Sequence, residues 1–330
     1  MKYLRLLLFP FSIVYWLITS LRNLFFDWGW LKSNRFDLPV ICVGNLSTGG
    51  TGKSPMIEFL IRSLKDNYKL GVVSRGYKRK TKGYWEVFTN QTAFEVGDEP
   101  LQIKRKFPEV VVAVSEKRKI GIEKIKNRVY AILLDDAFQH RSVTPTFSVL
   151  LTSYGDLYVN DFILPAGNLR ESKRGAKRAD VVVVTKCPKN LNEVEMQKIE
   201  RKLNLKPNQN CYFSTISYAS EIQWENGSKP LEYLSNMSFT LVTGIANPTP
   251  LVEYLKQKKL NFTHKSFSDH HDFKPWEIQE LDKNEIILTT EKDFVRLQPF
   301  IRKADLYYLP ISVSFLKNEE DFLTNLKKVI

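Results

Sequence analysis

Eight residues set the architecture of this chain: Ser47-Thr48-Gly49-Gly50-Thr51-Gly52-Lys53-Ser54. They follow the apolar run 39–44 and precede the helix-like run 55–64, so a strand, a glycine-rich turn and a helix start occur in that order. In such a turn the backbone N–H groups and the positive end of the helix surround a phosphate. Lys53 would reach the outer phosphates and the Ser54 hydroxyl would bind Mg²⁺. The whole stretch is therefore predicted to bind a nucleotide.

The match to the usual pattern G-x-x-x-x-G-K-[ST] is incomplete, because Ser47 stands where the first glycine belongs. Gly49 and Gly50 provide flexibility further along the turn. An ordinary glycine-rich connection between a strand and a helix is the alternative. The strand and helix context favours nucleotide binding, and Pro55 suits the first turn of a helix.

After this turn, short apolar runs alternate with helix-like stretches. The runs lie at 70–74, 110–115, 131–134, 147–151 and 180–185. Near-continuous Val, Ile and Leu runs are typical of strands that are buried on both faces of a parallel sheet. The sequence therefore predicts an α/β fold with a doubly wound, mostly parallel sheet of the P-loop NTPase type.

Charged clusters follow several of these runs, at the strand ends where such sheets bind ligands. The cluster 75–80 carries four cations and indicates either an anion site or a solvated turn. Asp98-Glu99 would either cap a helix or supply the proton acceptor and metal ligands that phosphoryl transfer needs. Asp135-Asp136 end an apolar strand, as Walker B carboxylates do beside a phosphate loop.

The 330-residue chain has a formal charge of +13, from 49 Lys and Arg against 36 Asp and Glu. This excess indicates an acidic partner, which could be nucleic acid, an anionic membrane surface or a phosphorylated substrate. The sequence has no recognition-helix, zinc-finger or aromatic single-strand-binding signature, so nucleic acid is not expected. Cys42, Cys187 and Cys211 form no C-x-x-C pair, which favours a reducing, cytosolic setting.

The N-terminal segment 1–30 is apolar and rich in aromatic residues. Its sixteen uncharged residues, 6–21, are fewer than the roughly 20 that a spanning helix needs, and Pro10 is expected to interrupt them. The segment is predicted to lie as an amphipathic helix in the membrane interface, with the catalytic body in the cytosol. A cleaved signal peptide and a first helix packed on the core are the alternatives.

The character of the sequence changes after residue 210. Segments near 211–225 and 306–315 alternate in polarity as antiparallel strands do. We predict that they pair as a ribbon, which joins a P-loop core at 31–210 to a smaller α/β domain at 211–330.

Several short motifs, in this order along nearly the whole chain, resemble those of one family. They are Gly49-Gly50-Thr51-Gly52-Lys53-Ser54-Pro55, Ser74-Arg75-Gly76-Tyr77, Gly97-Asp98-Glu99-Pro100, Asp135-Asp136-Ala137-Phe138-Gln139-His140, Leu164-Pro165-Ala166-Gly167-Asn168-Leu169-Arg170-Glu171, Asp269-His270-His271 and Thr289-Thr290-Glu291-Lys292-Asp293. The family that they resemble is tetraacyldisaccharide 4'-kinase, the lipid A kinase of Gram-negative bacteria.

The resemblance implies transfer of the γ-phosphoryl of ATP, with Mg²⁺, to the 4'-hydroxyl of an acylated disaccharide phosphate lipid. The product would be lipid IVA, made at the cytoplasmic face of the inner membrane. The resemblance also implies a catalytic dyad, in which Asp98 takes the hydroxyl proton and His270 comes from the second domain. The implied metal ligands are Ser54, Glu99, Asp135 and Asp136. Substrate contacts are expected at Arg75, His140 and Arg170.

A P-loop switch protein on the membrane, such as a GTPase or a metal-centre assembly factor, is the alternative from another functional class. Such proteins usually recognise guanine through an Asn/Thr-Lys-x-Asp motif. The segment 184–188 lies in the right place, but Pro188 replaces the aspartate. The kinase interpretation is therefore preferred, and the chain is expected to act as a monomer.

Overall fold

The structure of the chain, a computed structural model, describes residues 5–330, and its strands form two sheets. The strands are β1 Val40–Asn45, β2 Leu70–Ser74, β3 Trp85–Glu86, β4 Val111–Val114, β5 Ala131–Asp135, β6 Phe147–Ser153, β7 Val181–Thr185, β8 Asn210–Tyr218, β9 Glu221–Trp224, β10 Gly227–Pro230, β11 Ser238–Thr243, β12 Asn261–Ser266, β13 Ile286–Thr290, β14 Asp305–Leu309 and β15 Ile311–Phe315. The α-helices are α1 Phe9–Asp27, α2 Lys53–Leu64, α3 Ala93–Val96, α4 Asp98–Lys106, α5 Arg118–Ile125, α6 Glu193–Leu203, α7 Thr249–Gln257, α8 Pro275–Leu281, α9 Glu291–Leu297 and α10 Glu319–Lys327.

The larger sheet has nine strands in the order β15-β8-β7-β6-β1-β5-β2-β4-β3. All neighbours from β8 to β4 are parallel, and only the edge strands β15 and β3 run antiparallel to the strands beside them. Alternate residues of β1 enter different hydrophobic clusters, Ile41 and Val43 in one and Val40 and Cys42 in the other. The sheet is therefore buried on both faces, and the predicted α/β fold with a mostly parallel sheet is confirmed.

The smaller sheet has six strands in the order β10-β9-β14-β13-β11-β12. The four strands from β14 to β12 are parallel, whereas β9 and β10 are antiparallel to their neighbours. Helices α7 and α9 follow β11 and β13, as expected for an α/β unit.

β8 and β15 form an antiparallel pair, with Ile311 opposite Tyr218 and Phe315 opposite Ser214. β14, which the sequence assigned to the same ribbon, instead pairs with β13 in the smaller sheet. Pro310 separates β14 from β15, because proline has no N–H to donate to a continuing ladder. After β15 the chain returns to the core of the larger sheet through α10. The chain thus enters the smaller sheet and comes back to the P-loop core before it ends.

The phosphate loop is built by a left-handed residue at the start of a buried helix. Gly52 has φ +86° and directly precedes α2, and a side chain at this position would strain the backbone. Pro55 lies in the first turn of α2, where its missing N–H has no intrahelical partner to lose. The sequence-based placement of strand, turn and helix is confirmed.

A second glycine brings two of the strand-end clusters together. Gly97 has φ +92°, and a Cβ there would lie 3.1 Å from the Cα of Gly76. The turn after β2 and the start of α4 therefore touch backbone to backbone, which places Asp98 next to the basic cluster 75–80.

Helix α1 has its apolar side on the outside. Its buried residues are Ser12 and Thr19, whereas Phe11 is 65% exposed and Ile18 is 63% exposed. The predicted interruption near Pro10 is observed: Arg5 and Leu6 are helical, Leu7 and Leu8 form a turn, and α1 begins at Phe9 with this proline in its first turn. Residues 1–4 of the predicted segment lie outside the described part of the chain.

Replacing Phe322 by alanine should destabilise the protein by about 3 to 5 kcal/mol, because it removes a fully buried ring that packs on Phe59 and Tyr212. The free energy of unfolding from urea titration measures the effect. Val194→Ala on α6, where the side chain is 77% exposed, is the control and should change stability by less than about 0.5 kcal/mol. Equal stabilities of the two variants would contradict the observed return of α10 to the core.

Candidate functional site

A cavity of about 570 Å³ lies between the phosphate loop and the smaller sheet. Residues 50–54 of the loop line one side, and Asn247 and Lys292 line the other. Glu99 and Lys186 also line it. The cavity therefore has the place and the size expected of a nucleotide site at the carboxyl ends of parallel strands.

The first residues of the phosphate loop are held by a distant segment. Ser47 is buried and forms an antiparallel bridge with Leu169, and the Thr48 N–H donates to the Asn168 carbonyl at 2.7 Å. Ser47, Thr48 and Gly49 are not among the residues that line the cavity. The segment around 168–170 thus supports the loop in place of the missing first glycine.

The later residues of the loop are held from β7. The Thr185 hydroxyl donates to the Thr51 carbonyl at 2.7 Å, and Lys186 Nζ donates to the Gly50 carbonyl at 2.5 Å. This segment lies where guanine-binding proteins carry their base-recognition motif, but the side chains of Thr185 and Lys186 here hold the loop backbone. Residues 50–54 are thereby kept in place at the mouth of the cavity.

Lys53, Asp136 and Arg170 form one charge cluster behind the loop. Lys53 Nζ lies 3.8 Å from Asp136 Oδ1, and Arg170 donates to both Asp136 oxygens at 2.8 and 3.1 Å. Burial raises the pKa of Asp136, but the charges of Lys53 and Arg170 outweigh it and lower the pKa to about 2. Arg170, expected from the sequence as a substrate contact, is thus paired with Asp136 beside Lys53, and it also contacts the Asn45 side chain.

Asp135 is the acid at the end of β5, directly opposite Val43 of β1. Its Oδ2 accepts a hydrogen bond from the Ser74 hydroxyl at 3.0 Å, whereas its buried Oδ1 has no hydrogen-bond partner among the described residues. Burial raises the pKa of Asp135 to about 7, and the charges of Glu99 and Asp136 add to this effect. An unpartnered buried oxygen with a raised pKa fits a site that needs a cation.

Within residues 5–330, no three His, Cys, Asp or Glu side chains converge closely enough to form a metal site by themselves. The sequence-predicted ligands Ser54 and Glu99 line the nucleotide cavity, and Asp135 and Asp136 lie at the end of β5. Mg²⁺ in nucleotide sites commonly uses only one or two protein ligands, with phosphate and water oxygens completing its shell. The residues present therefore fit Mg²⁺ that arrives with a nucleotide.

Asp98 and His270 come from the two sheets and meet directly. His270 Nδ1 lies 2.9 Å from Asp98 Oδ2, and Arg296 of α9 also donates to this oxygen through Nε at 3.1 Å and through Nη2. Burial raises the pKa of Asp98, but the hydrogen bond from His270 and the charge of Arg296 outweigh it and hold the pKa far below its ordinary value. Asp98 is therefore a carboxylate at any physiological pH.

Glu99 points to the other side of α4 and pairs with Lys292. Lys292 Nζ lies 2.6 Å from Glu99 Oε1 and 3.4 Å from His270 Nε2. Burial disfavours the charged form of Glu99, but the ammonium of Lys292 lowers the pKa of this carboxyl below its usual range. Glu99, which the sequence predicts as a metal ligand, is thus paired with a cation from helix α9 of the smaller unit.

Sequence reasoning assigned no role to Lys292 or Arg296. Both lie on α9, four residues apart, and therefore on one face of that helix. This four-residue spacing is the signal in the sequence that could have identified them. A helix face with two cations would complement the two carboxylates of the motif 97–100.

A second cavity, of about 380 Å³, opens on the other side of the dyad. Its polar side contains Asp98, His270 and Arg296. Its apolar side contains Phe94 and Phe300, both more than a third exposed. This amphipathic lining suits an acceptor that has both a polar and an apolar part.

Arg75 and His140 do not line either cavity but lie together near Arg118. Burial lowers the pKa of His140 to about 4, and the positive charges of Arg118 and Arg75 contribute. Arg75 is exposed and has no hydrogen-bond or ion-pair partner in the described part of the chain. His271, beside His270, is instead held 2.8 Å from Glu277 of its own unit.

Comparison with known proteins agrees with this geometry. The profile of the family described as tetraacyldisaccharide-1-P 4'-kinase matches residues 4–330. A tetraacyldisaccharide 4'-kinase of Flavobacterium johnsoniae is 48% identical, over 98% of this chain and 96% of that protein. The protein of the same description from Bacteroides thetaiotaomicron is 44% identical, over 95% of this chain and 90% of that protein.

One solved structure is similar over the full length. It is the "apo" form of LpxK from Aquifex aeolicus in complex with ATP, which has a TM-score of 0.81, 30% sequence identity and coverage of 99% of both chains. The family resemblance of the sequence motifs is thereby confirmed, and the chain belongs to the tetraacyldisaccharide-1-P 4'-kinase (LpxK) family of ATP-dependent kinases.

Proposed function

We propose that Asp98 accepts the proton of the acceptor hydroxyl while the chain transfers the γ-phosphoryl of ATP to the 4'-hydroxyl of tetraacyldisaccharide 1-phosphate. One observation carries this proposal. Asp98 and His270 line the amphipathic cavity, whereas the neighbouring Glu99 and Lys292 line the cavity that contains the phosphate loop. The start of α4 is therefore the boundary across which a phosphoryl group would pass.

ATP would bind with its phosphates on residues 49–54, where backbone N–H groups and the start of α2 favour anions. Lys53 would contact the transferred group, and Arg170 and Asp136 would hold Lys53 in position. Ser54 and Asp135 would hold Mg²⁺, with Asp136 beside them. Bound Mg²⁺ neutralises charge on the phosphate oxygens. A metal role for Glu99 stays a prediction, because its nearest cation here is Lys292.

Asp98 suits its role although its pKa is low. Phosphoryl transfer passes through a loose transition state, so the hydroxyl proton leaves late and a strong base is not needed. An ionised carboxylate that is fixed in position is then sufficient to accept the hydrogen bond and afterwards the proton. His270 and Arg296 both donate to Oδ2 of Asp98. The other carboxylate oxygen, Oδ1, accepts a hydrogen bond from the Glu99 N–H at 3.0 Å, at the start of α4.

The cations near β2 would bind the phosphate that the acceptor already carries. Arg75 lacks an anionic partner in residues 5–330, and the low pKa of His140 reflects its burial first and then the positive charges of Arg118 and Arg75. A phosphate monoester would relieve this concentration of like charge. The net charge of +13 would also attract the chain to an anionic membrane surface.

Helix α1 would lie on the cytoplasmic face of the bacterial inner membrane. By length and composition it could cross a membrane, and only 11% of its most apolar 18-residue stretch is buried inside the protein. Its polar residues face the protein, where the Ser12 hydroxyl donates to the Ile163 carbonyl at 3.1 Å and the Tyr15 hydroxyl to the Arg170 carbonyl at 3.0 Å. A core helix has the opposite arrangement, so an interfacial position fits α1 best.

Residues 31–210 and 211–330 would act as a core and a closing unit, with the final strand and helix fixed to the core. Contact between Asp98 and His270 requires both units, so closure would exclude water from the transfer. Both cavities are formed within one chain, and a monomer is therefore sufficient. A switch GTPase is not favoured, because Pro188 replaces the guanine-reading aspartate and the relatives are kinases.

Replacing Asp98 by asparagine should lower kcat by about 10²- to 10⁴-fold and leave ATP affinity unchanged, because the amide cannot take the hydroxyl proton. The assay follows label from γ-labelled ATP, with Mg²⁺, into tetraacyldisaccharide 1-phosphate. His270→Ala should also lower kcat, whereas the control His264→Gln should not, since His264 bonds only Thr243 of its own unit. Wild-type turnover by D98N, or no label in lipid alongside rapid GTP hydrolysis, would contradict the proposal.

The Mg²⁺ concentration that gives half-maximal activity should rise as the pH falls from about 8 to about 6. Asp135 has a pKa of about 7, so it becomes protonated over this interval and the neutral acid binds metal poorly. Asp135→Asn should need more Mg²⁺ at every pH and lose the dependence. Asp136→Asn removes a charge that raises the pKa of Asp135, so it should keep the dependence but move it to lower pH. A pH-independent Mg²⁺ requirement in the wild type would exclude Asp135 as a ligand.

Replacing Leu17 by glutamate should reduce flotation with anionic phospholipid vesicles, because it places a charge on the exposed apolar side of α1. Turnover of a short-chain soluble acceptor should be retained. Val194→Glu, a similar change at an exposed apolar residue of α6, is the matched control and should float as the wild type does. Equal flotation of both variants would show that α1 does not seat the protein on the bilayer.

A further inference from the structure

We infer that Lys292 is a positioning residue that holds His270 in the tautomer whose Nδ1–H donates to Asp98. The inference rests on the proposed function, because the Asp98–His270 pair matters only if it serves the transfer. Lys292 itself contacts the imidazole and Glu99, and it would act on the reaction through His270.

The tautomer follows from what each group can donate. The Lys292 ammonium can only donate, so its approach to His270 Nε2 at 3.4 Å is a hydrogen bond only if that nitrogen carries a lone pair. A neutral imidazole then carries its proton on Nδ1, which lies 2.9 Å from Asp98 Oδ2. Lys292 and Asp98 therefore select the same tautomer from opposite sides of the ring.

A competing tautomer is available within the same site. Arg296 Nη2 lies 3.0 Å from His270 Nδ1, and a guanidinium also can only donate. With the proton on Nε2, the Nδ1 lone pair would accept from Arg296, and His270 would no longer donate to Asp98. The donor on Nε2 decides between the two arrangements, and Lys292 is that donor.

The position of Lys292 is built into the fold around His270. Asp293, the next residue on α9, accepts from the Gly244 N–H at 2.8 Å, and the Gly244 carbonyl accepts from the His270 N–H at 3.1 Å. His270 has φ +53°, a left-handed conformation that is uncommon outside glycine and turns its side chain into the site. The helix that carries Lys292 and the loop that carries His270 are thus tied by one short hydrogen-bonded path.

The other groups around the imidazole do not substitute for Lys292. Asp269 Oδ1 lies 4.0 Å from Nε2, outside hydrogen-bond distance, and the Tyr77 ring meets the imidazole edge to face at 5.2 Å between centroids. Lys78 Nζ donates to the His270 carbonyl and not to the ring. Of the described residues, only Lys292 offers a hydrogen to Nε2.

The test uses the ring nitrogens as the readout. The chain has four histidines, so ¹⁵N-histidine-labelled protein gives four rings, and His270→Ala assigns the relevant one. In the wild type, the ¹⁵N shifts of His270 should show a protonated Nδ1 and an unprotonated Nε2. Lys292→Met should move the proton to Nε2 and lower kcat by about 10- to 100-fold with little change in the KM for ATP. Lys292→Arg retains a donor and should recover the wild-type ring shifts and much of kcat.

Lys265→Met is the matched control, because Lys265 is another lysine of the smaller unit and pairs with the exposed carboxylate of Glu280. This variant should change neither the His270 ring shifts nor kcat. A wild-type His270 ring that is protonated on Nε2 overturns the inference without any variant. A K292M variant in which the His270 ring keeps its proton on Nδ1 also overturns the inference. Failure of the proposed function gives a different result, since D98N and H270A would then still phosphorylate the lipid whatever the state of the ring.

Discussion

The contact between Asp98 of the core and His270 and Arg296 of the smaller unit is the interaction on which the site depends. Asp98 is buried, and a buried carboxylate is stable only if it is paired and hydrogen-bonded. Its side-chain partners come from the smaller unit, so the buried carboxylate of Asp98 is compensated by protein groups, and not by water, only while the two units touch. Removing one partner of such a pair commonly destabilises a protein by about 3 to 5 kcal/mol, which is large compared with the stability of a domain. The burial of Asp98 and its pairing with His270 and Arg296 therefore depend on the same contact between the two units.

The backbone makes this arrangement possible. Parallel strands bring β1, β2 and β5 to one sheet edge, so the phosphate loop, the basic turn at 74–77 and Asp135 are neighbours although they are distant in sequence. The close approach of Gly97 to Gly76 then places α4 at that edge, with Asp98 and Glu99 in its first turn. Because successive residues of a helix start point in different directions, the two acids face different cavities. The first turn of α4 thus separates the phosphate-loop cavity from the amphipathic cavity.

The strands, the phosphate loop and the carboxylates at strand ends could be predicted, because each is a local pattern of apolar runs, glycines and acids. His270 could be predicted only through the family resemblance, since neighbouring histidines in a loop have no distinctive periodicity. Lys292 and Arg296 were missed because their four-residue spacing indicates a cationic helix face but not what that face contacts, which depends on how the two units pack. The position of β14 was misjudged for a similar reason. Its alternation is the same in either sheet, and only Pro310 marks the change of partner.

Helix α1 and the phosphate loop are held by the same segment of the chain. The polar side of α1 donates hydrogen bonds to the backbone of residues 163–170, and Arg5 reaches the Pro165 and Gly167 carbonyls nearby. The same segment forms the bridge to Ser47 and accepts from the Thr48 N–H. Ser47 stands where the usual pattern has its first glycine. This segment holds the backbone of the loop at that position. The polar side of α1 and the first residues of the phosphate loop therefore share one support, the segment 163–170.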